Sequence, residues 1–345
     1  MMVKVGMVVP TWGKECGIAD YTKQLIDHTQ NESIQFFVYS DLDDYFIPTI
    51  QANMIDVVHL QYDYALYELD LLAPILKELH RLRIPVITTL HSWCHGLIRH
   101  NRLISEQSSI VIAHSQEVMR LCLEHGYHQD NVIVMPMGCR SFRLPQSEPV
   151  EAVCPNGGLC IGFFGFPFPH KGMLQLIEAI HMLQAECPGI RGCFLAHYPN
   201  SLDHTHPFYS FQQELQTHLD KHPYLTWIQE YLPESSIVQH LHAMDLNVLP
   251  YATLPYQGVS SAVRFLLAAR RPIITTDNLF FSDLTEEVYK IPDNSAETIA
   301  SAIRRVISDK TLQQQLVEKG GLFLKQNSWE QIGYRYRELY QQSFR

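Results

Sequence analysis

Four short segments of the chain carry residue types that can handle an anion or a reacting hydroxyl. The first is WGKECGIADYT, residues 12–22, where an apolar run passes into a helical pattern. Gly13 and Gly17 permit backbone geometry closed to other residues, and free N–H groups at a helix start can receive an anion. The segment has no Gly-Lys-Ser/Thr at Walker spacing and no G-x-G-x-x-G, so a plain strand-to-helix turn is the competing reading. The second is TTLHSWCH, residues 88–95, in which His91 follows a strand-like run and can exchange hydrogen bonds with a hydroxyl group. His91, Cys94 and His95 are all good metal ligands, but no Cys or His pair with finger-like spacing accompanies them, and no metal is expected. A histidine that only packs is the alternative there.

The third segment is IGFFGFPFPHKGMLQLIEAI, residues 161–180, with Lys171 just before an amphipathic helix. A lysine at a helix N-terminus opposes the helix dipole. It becomes sensible when an anionic ligand is shared between the amine and the backbone amides, and a solvated lysine is the bland alternative. The fourth is LPYATLPYQGVSSAVRFLLAARRPIITT, residues 249–276. Here Gly258, Val259, Ser260 and Ser261 lead into a helix, offering amides and two hydroxyls to a phosphate, or simply capping the helix. A nucleophile elbow is a poor fit, because the second glycine of G-x-S-x-G is missing.

Positioning these segments requires an alternating architecture. Short Val- and Ile-rich runs at 3–9, 34–39, 55–60, 84–90, 110–113 and 132–135 are separated by helix-length stretches, with helical spacing plain at 18–28 and 69–82. Strands apolar on both faces, alternating with helices, predict a parallel sheet covered on both sides. The pattern stops over 142–158, a Pro- and Gly-containing stretch that reads as a linker, and then starts afresh. Strands are expected at 159–164, 191–196, 224–228, 246–249 and 272–275, with helices at 172–186, 208–221, 234–242 and 260–269. The tail from Ala296 reads as helical, with Ser328 capping a last helix over 329–340. The expected division is 1–145, a linker at 146–158, 159–326, and a closing segment 327–345. Two doubly wound α/β units of this kind gather ligands outside the carboxyl ends of their strands.

Composition narrows the function. At 345 residues two domains are the natural prior. A formal charge of −10 argues against a nucleic-acid partner and against simple adsorption on an anionic membrane. No segment approaches the roughly 20 apolar residues that span a bilayer, although peripheral membrane contact is left open. The N-terminal run is too short and poorly flanked for a signal peptide. The eight cysteines include no C-x-x-C pair and sit mostly in apolar runs, so reduced thiols and a cytoplasmic location are expected.

In this order the four segments resemble the GT4-type retaining glycosyltransferases, whose fold is GT-B: two Rossmann-like domains facing a cleft. GIADYT (17–22), IDVVHLQYDYALY (55–67), PVITTLHS (85–92), HKGMLQLIEAI (170–180), SSAVRFLLAARRPIITTD (260–277) and NSWEQIGYRYRELY (327–340) carry the likeness along nearly the whole chain. The resemblance implies a nucleoside diphosphate sugar donor, of UDP or GDP type, and no cofactor. It implies that Lys171 and residues 258–261 hold the diphosphate, that Gly17 closes over it, and that His91 holds the transferred sugar. Tyr231 would lie near the nucleobase. The acceptor, unidentified, would meet the N-terminal loops, with Asp20, Tyr62 and Trp93 as contacts. The sequence departs from the family in two places. Phe166-Pro167-Phe168-Pro169 stands where an arginine usually precedes the lysine, and Gln257 and Phe265 stand where two glutamates are usual. The second glutamate normally holds the ribose; Gln257 can still hydrogen-bond a sugar, Phe265 cannot, and Arg264 beside it could supply some lost positive charge, although helical neighbours point about 100° apart. The expectation is therefore hexosyl transfer to a hydroxyl or amine with retention, by a divergent member. A non-catalytic subunit of the same fold that binds a nucleotide or partner enzyme is the rival, and an epimerase or phosphorylase a third reading.

Overall fold

The computed structural model describes residues 2–144, 158–198 and 208–342. Its first sheet contains β1 (Val3–Val8), β2 (Ile34–Tyr39), β3 (Val57–Tyr62), β4 (Val86–Leu90), β6 (Ile110–Ala113) and β7 (Val132–Val134), while β5 (Trp93–Cys94) lies apart. The helices on this part of the chain are α1 (Gly17–Thr29), α2 (Phe46–Ala52), α3 (Leu69–Arg81), α4 (Ile98–Gln107) and α5 (Gln116–Glu124). The second sheet contains β8 (Cys160–Phe164), β9 (Arg191–Leu195), β10 (Leu225–Ile228), β11 (Leu246–Leu249), β13 (Ile273–Thr276) and β14 (Tyr289–Ile291), with β12 (Tyr256–Gln257) apart. Its helices are α6 (Met173–Leu183), α7 (Phe208–Asp220), α8 (Glu234–Ala243), α9 (Ala262–Ala268), α10 (Ala296–Ser308) and α11 (Lys310–Gln326), and α12 (Trp329–Gln342) ends the described chain.

Both sheets are six-stranded and parallel throughout, as strands buried on both faces require. The first runs β2-β1-β3-β4-β6-β7 and the second β10-β9-β8-β11-β13-β14. Counted by chain order within its sheet, the second is the dinucleotide-fold order 3-2-1-4-5-6. Strand order reverses between β1 and β3 in the first sheet and between β8 and β11 in the second, and the loops beyond those strands are where ligands of such sheets sit. Helices α2, α4 and α5 fill helix-length stretches between the first six strand runs, and the short β14 lies where the sequence marked no element. The linker expected at 146–158 falls outside the described residues except for Gly158.

The chain divides into two compact units: Met1–Gly138, Pro255–Val259 and Asn327–Arg345 form the first, Cys139–Leu254 and Ser260–Gln326 the second. The sequence limits of 159–326 run unbroken, whereas Pro255–Val259 packs with the first unit, where β12 pairs antiparallel with β5. Gly258 makes that docking feasible, since a Cβ there would stand 1.7 Å from the His91 carbonyl oxygen. The last helix packs on α1 inside the same unit. Tyr336 and Tyr21 share a hydroxyl hydrogen bond of 2.8 Å, and Gly333 passes so close that a Cβ would come within 2.3 Å of the His28 carbonyl oxygen. The Ser328 hydroxyl accepts from the Gln331 amide at the helix start. Six described cysteines are free thiols, but Cys160 is disulfide-bonded. That corrects the expectation of reduced thiols at this position.

Candidate functional site

In the second unit the site grows from the loops after β8 and β11, the two strands that flank the reversal. Gly165 takes φ +137° as the chain leaves β8, and Pro169–Lys171 form one 3-10 turn. Gly172 follows in the left-handed region at φ +74°, and a Cβ on it would lie 2.1 Å from the Pro250 carbonyl oxygen. The Ala252 amide donates to the His170 carbonyl at 2.7 Å. The two loops are thereby interlocked, and the Lys171 stem is set by backbone contacts.

The Lys171 ammonium lies 3.8 Å from the centre of the Tyr251 ring and 5.2 Å from that of Phe280. Among the described residues no carboxylate or hydrogen-bond acceptor meets it. Burial lowers its pKa from 10.5 to about 7, and His170 next to it is lowered to about 4, by burial first and the lysine second. Ring faces give a cation part of what water would, but they do not neutralise it. An anion docking here would remove an electrostatic penalty already present in the fold.

The neighbouring groups depart from expectation. The Ser260 amide is already spent on the Phe280 carbonyl at 2.8 Å, so it is not one of the free donors that the sequence implied. Ser261 is exposed at the start of α9 and its side chain makes no capping hydrogen bond, which removes plain capping as its explanation. Arg264 is buried in an ion pair with buried Asp283 and stands over the Phe323 ring, so its charge is neutralised inside the unit and does not replace a missing donor contact. Phe265 packs on Phe164 and Phe142. Tyr231 is 63% exposed and is held edge-on against His197 at 4.9 Å.

In the first unit His91 follows β4 and is buried, its Nε2 2.8 Å from Gln61 Oε1 and its ring beside those of Tyr21 and His114. Burial, then His114 and His59, hold its pKa well below 6.5, so it is neutral at physiological pH. Gln257 and Val259 are buried, flanking Gly258 against the His91 backbone. Gly17 is the first helical residue of α1 and shows no positive φ; the left-handed glycine is Gly13, at φ +77°. Asp20 is exposed in the first turn of α1. Tyr62 and Trp93 are a correction: Tyr62 is fully buried, stacked on Tyr67 with its hydroxyl on His100, and Trp93 is buried against His125 and Tyr127. Neither offers an open ring face to an acceptor.

Sequence reasoning missed Tyr251, Phe280, His59 and Gln61. A signal existed for the last two: two polar residues at i and i+2 in the apolar run VVHLQY share one strand face.

No family model matches the chain, and no curated protein matches it by sequence. Solved structures do. HepE from Anabaena in complex with UDP superposes with a TM-score of 0.77 at 14% identity, covering 99% of this chain and 100% of that one. Sucrose-phosphate synthase from Thermosynechococcus elongatus superposes with a TM-score of 0.75 at 14% identity, covering 99% of both chains. A glycosyltransferase from Rickettsia africae does so with a TM-score of 0.75 at 15% identity, covering 99% of this chain and 98% of that one. The fold is GT-B. At such identities the likeness carries the fold alone.

Proposed function

We propose that the protein is a glycosyltransferase of the GT4 kind that moves a hexosyl group from a nucleoside diphosphate sugar to an acceptor hydroxyl or amine, with retention of configuration and without a metal. One observation carries it: a partly desolvated ammonium, Lys171, without a carboxylate partner among the described residues, at the strand-order reversal of a sheet with dinucleotide-fold topology. The support from likeness is that HepE has been crystallised with UDP and with UDP-glucose, which makes a uridine donor the first to try and GDP the second.

In this mechanism Lys171 and the Ser261 hydroxyl meet the diphosphate and stabilise the charge that grows on it as the glycosidic bond breaks. Lys171 supplies the positive charge that a divalent ion would otherwise bring. His91, neutral, accepts a hydroxyl of the transferred sugar, and the exposed ring of Tyr231 lies against the base. Asp20 remains the acceptor-side candidate.

A second reading has specific support. Phe265, where the resembled family has a ribose-binding glutamate, is packed among phenylalanines, and Arg264 is neutralised by Asp283. Both fit a subunit that binds a nucleotide and turns nothing over. Thermal-shift titration with UDP-, GDP-, TDP- and ADP-sugars, followed by donor turnover, separates the two readings, because a saturating ligand raises stability by a few kcal/mol. Transfer or slow donor hydrolysis that disappears in Lys171→Ala supports the enzyme; binding without turnover supports the subunit. An inverted product anomer, read by NMR, removes retention.

A further inference from the structure

A chain of buried polar groups runs from His91 into the last helix of the first unit. Gln61 Oε1 lies 2.8 Å from His91 Nε2, while Gln61 Nε2 lies 3.2 Å from Met7 Sδ and 3.3 Å from His59 Nε2. His59 Nε2 is 2.8 Å from Thr89 Oγ1, and its Nδ1 is 2.5 Å from the Tyr340 hydroxyl. His91 Nδ1 makes no hydrogen bond among the described residues.

Hydrogen-bond chemistry fixes the proton of His91 and, through the 3.3 Å contact of the Gln61 amide nitrogen, sets that of His59. A thioether sulfur only accepts, so the amide nitrogen of Gln61 faces Met7 and its carbonyl oxygen faces His91. That oxygen carries no hydrogen, so His91 Nε2 does, and a neutral imidazole then has a bare Nδ1. The same amide nitrogen donates to His59 Nε2, which leaves the His59 hydrogen on Nδ1, donated to Tyr340. One glutamine therefore holds two histidines in opposite tautomers. The groups packed around His91 are Tyr21 from α1, His114 after β6 and, through Tyr21, Tyr336 of α12. Burial keeps Tyr21 and Tyr336 protonated and neutral, and keeps His59 neutral with its pKa lowered to about 3.

We infer that Gln61 is a positioning residue that locks His91 as the Nε2–H tautomer, so that Nδ1 is the single lone pair it offers to a hydroxyl of the transferred sugar. The sugar contact rests on the function proposed above; the tautomer does not. Tyr340, 281 residues from His59 in sequence, holds the second tautomer by accepting the His59 hydrogen.

The test is nitrogen-detected NMR of the full chain with labelled histidine at neutral pH, without ligand. The expected spectrum has His91 protonated on Nε2 and His59 on Nδ1. Gln61→Met is expected to release His91 into a mixture of tautomers. Gln61→Glu keeps an acceptor oxygen towards His91 and restores its single tautomer while its second oxygen draws the His59 hydrogen to Nε2, and Tyr340→Phe disturbs His59 alone. In turnover, Gln61→Met is expected to lower kcat by about 10- to 100-fold, the scale of a small misplacement, with donor KM changed by less than about threefold. Gln61→Glu recovers part of kcat. A wild-type His91 protonated on Nδ1, or an unchanged His91 tautomer in folded Gln61→Met, overturns the inference. If the tautomers are as stated but the wild type transfers no sugar, the proposed function fails and the lock stands.

Discussion

Around β1 and β3 of the first sheet, the buried polar groups close on one another; around β8 and β11 of the second, a cation is left facing aromatic rings. His59, Gln61, His91, Tyr21 and Tyr340 all have partners, and burial holds them neutral. Among the described residues Lys171 meets the faces of Tyr251 and Phe280 and no carboxylate, although Arg264 in the same unit has been given one. A satisfied buried network fixes orientation, whereas an unsatisfied buried charge is a standing cost that a ligand can relieve.

The strongest way to break this contrast is to make the second cation unpaired as well. Asp283→Ala strands the buried Arg264 charge and is expected to destabilise the protein by about 3–5 kcal/mol, measured by denaturant unfolding. A loss below about 1 kcal/mol would show that the pair is solvated, and that burial says little about Lys171 either.

Lys171 is expected to act with opposite signs on binding and on stability. Lys171→Ala should weaken a UDP-sugar by about 100-fold, on the order of 3 kcal/mol, in a calorimetric titration. Lys171→Met should raise the Tm of the free protein, because it removes a desolvated ammonium. The pH dependence follows. With a folded pKa of about 7 against 10.5 unfolded, the folded chain binds fewer protons between those values, so free wild type gains stability as pH rises through that window. The gain should vanish in Lys171→Met. Donor affinity should fall as pH rises through 7, and Lys171→Arg should flatten that fall.

Smaller effects sharpen the picture. Gly258→Ala drives a methyl into the His91 carbonyl and should cost about 1–3 kcal/mol while loosening the Pro255–Val259 segment, read by hydrogen exchange at Tyr256 and Gln257. Ser261→Ala should change stability by less than about 0.5 kcal/mol, because the hydroxyl caps nothing, while lowering donor affinity measurably. A capping-sized loss of stability with unchanged affinity would return Ser261 to a structural role.

Much of this was legible before any coordinates. Runs such as VVHLQY and VITTL announce strands buried on both faces, and such strands demand parallel sheets. The lysine before α6 stood out because it offends the helix dipole. Other site details were not legible. Arg264 lay open to reading as a free cation because Asp283 is 19 residues away, in a turn before β14. Tyr62 and Trp93 looked like stacking rings because an aromatic residue after a strand is equally at home in a loop or a core.

What the sequence determined by itself is therefore local and periodic: where strands and helices fall, that two sheets form, and which loops follow their carboxyl ends. The tertiary structure alone decided which polar atoms are already spoken for. The Ser260 amide is taken by Phe280, Gly258 is pressed on His91, and His59 is tied to Tyr340. The reason is physical: periodicity records burial, which each residue experiences alone, whereas a hydrogen bond or a close approach belongs to two residues and leaves no mark on the sequence around either.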